Sequence, residues 1–368
     1  MNPLVELHAY GQSFWYDNIR RKFLLDGTVQ QLIEQDGLRG MTSNPSIFEK
    51  AIGHSDDYDE QIQALVQDGA DVTAIYEAVA IADIQTACDL FAFLYEESGG
   101  GDGYVSLEVS PHLARDTEGT IADARRLFTA VNRPNLMIKV PATPEGIPAI
   151  RQLISEGINI NVTLMFSMAH YEAVAGAYIA GLTQWVDGGG GPQQVASVAS
   201  FFVSRVDTAV DKQLNALNNP SAQALEGKVA VANSKVVYQR FQEIFHGETF
   251  AALQAVGGRR QRLLWASTST KNPAYPDTLY VDELIGPETV NTMPPNTIEA
   301  FRDHGRVANT LEANVDEAQA VLDELAALGI DLNDITEQLQ VAGVASFSQS
   351  FDTLMETIAA KRNTLASA

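Results

Sequence analysis

A lysine in the middle of an apolar run is the side chain in this sequence best suited to covalent chemistry. Lys139 stands in Leu136-Met-Ile-Lys-Val140. A primary amine held among apolar neighbours condenses with a ketone to an imine once desolvation or a nearby cation weakens its hold on a proton. Other runs carry polar groups at alternate positions. Ser106 and Glu108 alternate with Val105, Leu107 and Val109, and Asn159, Asn161 and Thr163 alternate with Ile158, Ile160, Val162 and Leu164. Ser200, Phe202 and Ser204 alternate with Ala199, Phe201 and Val203.

In a strand, residues two apart share a face, so each run has an apolar side and a side with functional groups. A structural ion pair accounts for Lys139 and Glu108 alone. It does not account for Asn161, Thr163, Asn44 and Asp17 at the ends of other runs, and burying such groups without partners is costly. A site that uses them accounts for all.

The elements that position these residues follow from periodicity. Eight period-2 apolar runs, at 13–17, 40–44, 104–109, 136–140, 158–164, 198–204, 263–267 and 289–293, alternate with segments of helical period at 46–50 and onward, 72–95, 120–131, 147–155 and 168–186. Such alternation predicts parallel βα units, here a single (β/α)8 barrel, one domain over 1–368, whose site lies at the C-terminal ends of the strands. The first run, with Phe14, Trp15 and Tyr16, suits a helix equally well. Asn44 before Pro45 and Thr143 before Pro144 have the chemistry of helix starts. A helical insertion at 207–262, before the seventh strand, and a helical end at 295–368 are expected on the barrel's exterior. The glycine-rich stretches 99–103 and 188–191 lack phosphate-cradling spacing and are expected to be flexible loops.

Composition narrows the function. Against 24 Lys and Arg the chain has 47 Asp and Glu, a formal net charge of -23, which argues against nucleic acid or an anionic membrane as partner. An anionic substrate would have to be met by a few local cations, which singles out Arg205 and Lys271. The one cysteine, Cys88, excludes a disulfide within the chain and is expected to be a buried, inert thiol. The six histidines show no metal-ligand spacing, so neither metal nor cofactor is expected. Residues 1–10 do not resemble a signal peptide and no stretch approaches 18 unbroken apolar residues, so the protein is expected to be soluble and cytoplasmic. Nothing in the sequence specifies an oligomeric state.

The motifs match a known family in order and spacing along nearly the whole chain. Gly40-Met-Thr-Ser-Asn-Pro-Ser-Ile-Phe-Glu-Lys50 resembles the transaldolase signature at the end of the second strand, and Leu136-Met-Ile-Lys-Val-Pro-Ala-Thr143 resembles its Schiff-base strand. Ser106-Leu-Glu-Val109, Asn159-Ile-Asn-Val-Thr163 and Ser200-Phe-Phe-Val-Ser-Arg205 fit too, and the length and late insertion look most like the longer bacterial members.

The resemblance implies transfer of a dihydroxyacetone unit between sedoheptulose 7-phosphate plus glyceraldehyde 3-phosphate and fructose 6-phosphate plus erythrose 4-phosphate. On that basis Lys139 attacks the donor's C2 carbonyl, Asp17 exchanges the proton of the C4 hydroxyl, and Glu108 and Thr163 hold a proton-shuttling water. Asn44 and Asn161 would bind the dihydroxyacetone hydroxyls, Ser200 would line the pocket, and Arg205 would take the distal phosphate. Shorter members carry Ser-x-Arg after strand seven. Here the chain reads Ala266-Ser-Thr-Ser-Thr-Lys-Asn272, so Ser267 fits and Lys271 falls two positions late. A fructose 6-phosphate aldolase is the nearest alternative, but those relatives carry a tyrosine where this chain has Phe202. A non-catalytic sugar-phosphate-binding barrel is the other. Plainer roles also exist: Asn44 and Asp17 as helix caps, Thr163 as a strand former, and Arg205 as a surface partner of Asp207 or Asp211.

Overall fold

The computed structural model describes residues 2–366. Among them are eight strands: β1 (Gln12–Asp17), β2 (Gly40–Thr42), β3 (Tyr104–Glu108), β4 (Leu136–Pro141), β5 (Ile160–Met165), β6 (Ser197–Phe202), β7 (Arg262–Ala266) and β8 (Thr289–Met293). They pair in parallel in sequence order, and β8 closes the barrel on β1. Parallel neighbours require a crossover, and the helices that supply it cover the outer face, so a barrel strand is buried on both sides. Every strand residue except Asp17 and Arg262 is accordingly buried. The Phe14-Trp15-Tyr16 stretch is a strand because both flanking strands hydrogen-bond to it. Gly40 admits the Trp15 indole to the interior, since a Cβ there would stand 2.5 Å from that ring.

The glycine-rich stretches, expected as loops, make specific contacts with the barrel floor and a neighbouring helix. Asp102 turns into the barrel floor, where its carboxylate accepts from Ser13 Oγ at 2.6 Å, Trp15 Nε1 at 3.2 Å, Arg39 Nε at 3.0 Å and Arg262 Nη1 at 3.3 Å. Gly103 has φ 84 and lies so close to Tyr95 that a Cβ would come within 2.6 Å of its backbone nitrogen. The 188–191 turn wraps the Trp185 indole, whose Nε1 donates to Gly191 O at 3.0 Å.

Three strand ends differ from the periodic reading. β2 stops at Thr42, and Asn44 caps the helix Pro45–Gly53. β6 stops at Phe202, and Ser204 opens the helix Ser204–Leu217 instead of continuing the inward face. In β5 the register shifts between Val162 and Met165, with Leu164 at φ 59. Alternation fails there, and the Leu164 side chain packs against Gly343.

The insertion forms the helices Ser204–Leu217, Pro220–Gln223, Val229–Phe245 and Glu248–Ala255. The long apolar helix Val72–Glu97 has the length and composition of a membrane span, yet Ile75, Val79, Ile84, Ala87 and Phe91 are buried and it packs on β3. Cys88 lies on the same helix, buried, with its thiol pushed well up by desolvation.

The end of the chain departs from a purely exterior placement. The helix Leu332–Leu365 reaches over the C-terminal mouth of the barrel, where Gln340 Nε2 donates to Ala142 O at 2.9 Å and Leu164 O at 3.1 Å. Met1, Ser367 and Ala368, the ends of the segments expected above, lie outside the described residues.

Candidate active site

Register places the reactive amine. Lys139 on β4 sits opposite Glu108 on β3 and Asn161 on β5. It is 5% exposed, at the base of a cavity of about 580 Å3 at the C-terminal ends of the strands. Its Nζ donates to Ser43 O at 3.0 Å and lies 3.4 Å from Glu108 Oε2. The second contact is ionic in distance but lacks hydrogen-bond geometry, so Glu108 Oε2 has no hydrogen-bond partner. Burial raises the Glu108 pKa above the ordinary carboxylate range, opposed by the charge of Lys139.

Thr163 lines the same cavity, and its Oγ1 is also buried and unpartnered. The β5 bulge follows it immediately. A buried oxygen of this kind is where a water or ligand atom is held, and two such oxygens lie on the strands flanking that of Lys139. Asp17, at the end of β1, accepts from Thr42 Oγ1 at 2.7 Å. Burial raises its pKa, opposed first by Lys139 and then by the Thr42 bond.

Asn44 does two things at once. Its Oδ1 accepts from Ile47 N at 3.0 Å as a helix cap, while the residue lines the cavity with its amide NH2 available to a ligand hydroxyl. Ser200 also lines the cavity, and its Oγ donates to Asn161 Oδ1 at 2.7 Å. Asn161 in turn donates to Ser106 Oγ at 3.0 Å. Asn161 and Glu108 are the two predicted residues that do not line the large cavity; Asn161 is tied into the framework beneath it.

Arg205, in the first turn after β6, makes no ion pair among the described residues. Its guanidinium lies 5.1 Å over the Phe202 ring and 5.8 Å from that of Phe347. Surface pairing is ruled out by its neighbours: Asp207 is taken by Ala230 N and Tyr280 OH, and Asp211 by Gly227 N and Tyr275 OH. Burial lowers the Arg205 pKa, with Asp17 opposing. Ser267 and Lys271 line the same wall. Ser267 has φ 56, and its Oγ lies 2.9 Å from Ser204 Oγ. The turn that follows brings Lys271 into the cavity despite its late position, held by Ser269 Oγ at 2.5 Å. Desolvation lowers the Lys271 pKa, and the neighbouring Arg205 lowers it further.

Several lining residues escaped the sequence reading, among them Lys50, Arg20 and Phe347. Lys50 shares a cavity-lining helix face with Ser46 and Ile47, a spacing visible in the signature segment itself. Arg20 also lines the cavity, paired with Asp57 at 2.7 Å. Phe347 arrives from the far C-terminal helix, and no local pattern marks it.

The arrangement puts a buried amine beside carboxyl groups at one end of a cavity and unpaired cations toward the other, which suits imine chemistry on an anionic carbonyl compound. Residues 14–358 match the model of the transaldolase/fructose-6-phosphate aldolase family. The chain belongs to that family. Among its transaldolase relatives, one from Thiobacillus denitrificans is 49% identical, over 97% of this chain and 100% of its own. One from Frankia alni is 47% identical over 97% of both chains, and one from Mycolicibacterium paratuberculosis is 48% identical over 96% of both. The transaldolase likeness thus covers barrel, insertion and C-terminal helix alike.

Proposed function

We propose that this protein is a transaldolase, working as one (β/α)8 domain, that passes a dihydroxyacetone unit between sugar phosphates through a Schiff base on Lys139. The observation that carries the reading is the position of Lys139 Nζ, 3.4 Å from Glu108 Oε2 at the base of a cavity that also holds Asp17, Arg205 and Lys271. Lys139 attacks C2 of the ketose, and water is lost to give the iminium. Asp17, as carboxylate, takes the C4 hydroxyl proton. The C3–C4 bond breaks, its electron pair enters the iminium as an enamine, and the aldose leaves. An acceptor aldehyde then receives the enamine carbon while Asp17 returns the proton to the new hydroxyl, and hydrolysis frees the product.

Glu108 and Thr163, with their unpartnered oxygens, hold the water of the imine steps. Asn44 binds the dihydroxyacetone hydroxyls, with Ser200 beside it, and Asn161 holds Ser200 in place. Arg205, Lys271 and Ser267 take the distal phosphate. Phe202 favours transfer over release, because a phenyl ring has no hydroxyl with which to assist protonation of the enamine. The reaction belongs to the non-oxidative pentose phosphate pathway, and we assign it to the cytoplasm.

The test is incubation with fructose 6-phosphate and borohydride followed by peptide mapping. The reduced adduct is expected on Lys139. An adduct on Lys22 or Lys235, or none, would overturn the mechanism.

A further inference from the structure

Imine formation releases one water at C2 and hydrolysis consumes one, so each catalytic cycle moves water to and from Lys139 while a sugar phosphate fills the mouth. Glu108, the carboxyl group nearest the amine, does not line the substrate cavity. It lines two smaller cavities on the other side of β3. One, of about 260 Å3, lies between the helices Val72–Glu97, Thr117–Val131 and Leu332–Leu365. The other, of about 10 Å3, is roughly the space of one water. Tyr76, Leu107, Glu108 and Phe351 border both, so they adjoin.

The larger cavity runs from solvent toward Glu108. Its outer rim includes the exposed residues Thr73 and Arg126. Across that rim Arg126 bridges Glu77 at 2.7 Å and Asp123 at 2.5 Å, polar groups that water can pass. At the inner end stands Tyr76, its ring held edge-on between Phe48 and Phe351. Its phenol stays protonated under the pressure of burial and of the nearby Glu108, Glu77 and Asp123, and it makes no hydrogen bond to another described residue. A protonated phenol beside a carboxylate can pass a proton or orient a water.

We infer that this rear cavity is a water inlet and outlet for Glu108, separate from the substrate mouth, with the Tyr76 hydroxyl relaying between the two small cavities. The inference rests on the Schiff-base reading above and assigns that reaction's water its route. Water leaving the carbinolamine passes Glu108 to the rear, and hydrolytic water returns the same way while the sugar phosphate still occupies the front.

The experiment measures exchange of the C2 oxygen of fructose 6-phosphate with oxygen-18-labelled water without acceptor, corrected for the exchange seen without enzyme. The borohydride adduct on wild-type Lys139 is recorded in parallel, so that a failed Schiff-base reading shows itself separately. Ala80→Leu puts a larger side chain into the rear cavity, and Tyr76→Phe removes the hydroxyl while keeping the ring packing. Both are expected to slow exchange by roughly three- to tenfold, a fraction of the roughly 10²–10⁴ that a positioned acid–base group contributes. Trapping during turnover should show the full sugar-phosphate imine accumulating on Lys139 at the expense of the three-carbon adduct, because hydrolysis lags while carbon–carbon cleavage does not. Should Ala80→Leu fail to fold, Tyr76→Phe decides alone. Either variant, if folded and exchanging at the wild-type rate, overturns the rear route.

Discussion

The guanidinium of Arg205 lies 5.1 Å over the ring of Phe202, three residues earlier, where β6 turns into its helix. The ring faces an unpaired cation and leaves its donors to a ligand. If those donors bind the distal phosphate, Arg205→Ala removes charge-assisted hydrogen bonds worth about 1.5–3 kcal/mol. kcat/KM for fructose 6-phosphate should then fall roughly ten- to hundredfold. The loss should shrink sharply with unphosphorylated fructose; equal losses on both donors would sink the phosphate assignment. Lys271→Ala should show the same selectivity with a smaller effect, since an ammonium gives no bidentate geometry.

The acid limb of kcat/KM should lie above the ordinary carboxylate range. If Asp17 is the base, it acts only when ionised, and burial raises its pKa, so activity is expected above that raised value and lost as pH falls through it. Thr42 donates to the carboxylate at 2.7 Å and so favours the charged form. Thr42→Val should move the acid limb to higher pH by about one unit, for about 1.4 kcal/mol of lost interaction, and Thr42→Ser should restore it. A limb that does not move would remove Asp17 from the proton-transfer role.

Acceptor dependence separates transfer from simple cleavage. With fructose 6-phosphate alone, aldose should appear in a burst no larger than the enzyme concentration, and sustained release should require an added aldehyde. Steady production of free dihydroxyacetone would instead favour the aldolase activity that the family name also contains.

Asp102 predicts a purely structural effect. Its carboxylate joins the partly exposed Arg39 and Arg262 beneath the barrel, and hydrogen bonds to a charged group of this kind contribute about 1.5–3 kcal/mol. Asp102→Asn should lower the denaturation midpoint accordingly while leaving kcat/KM of the folded enzyme unchanged. A large loss of activity without loss of stability would contradict this placement.

The strand faces explain why so much of the barrel and site was legible. Lys139, Glu108 and Thr163 stand on the inward faces that period-2 alternation assigned them, because a barrel wall buried on both sides makes any inward polar group conspicuous. Alternation fails where the backbone leaves the strand conformation. Leu164 takes a left-handed conformation that a branched side chain adopts at a cost, and Ser204 is already helical. Lys50 stood in a segment already expected to be helical, but which face of that helix meets the cavity follows only from the packed fold. The glycines of 99–103 suggested freedom, whereas the Asp102 they deliver is held by four separate donors. Phe347 lies far along the chain from Phe202, and its meeting with Arg205 is a fact of tertiary structure alone.

The helix that carries Phe347 follows all eight strands along the chain. A nascent chain whose eight strands have emerged has its lysine and carboxylates in sequence, but not yet the wall that Gln340 pins across the ends of β4 and β5. A chain interrupted there has Lys139 in place without the Phe347 ring that lies beside Arg205. A chain cut short after β8 would thus keep all eight strands but lose one wall of the cavity that Lys139 lines.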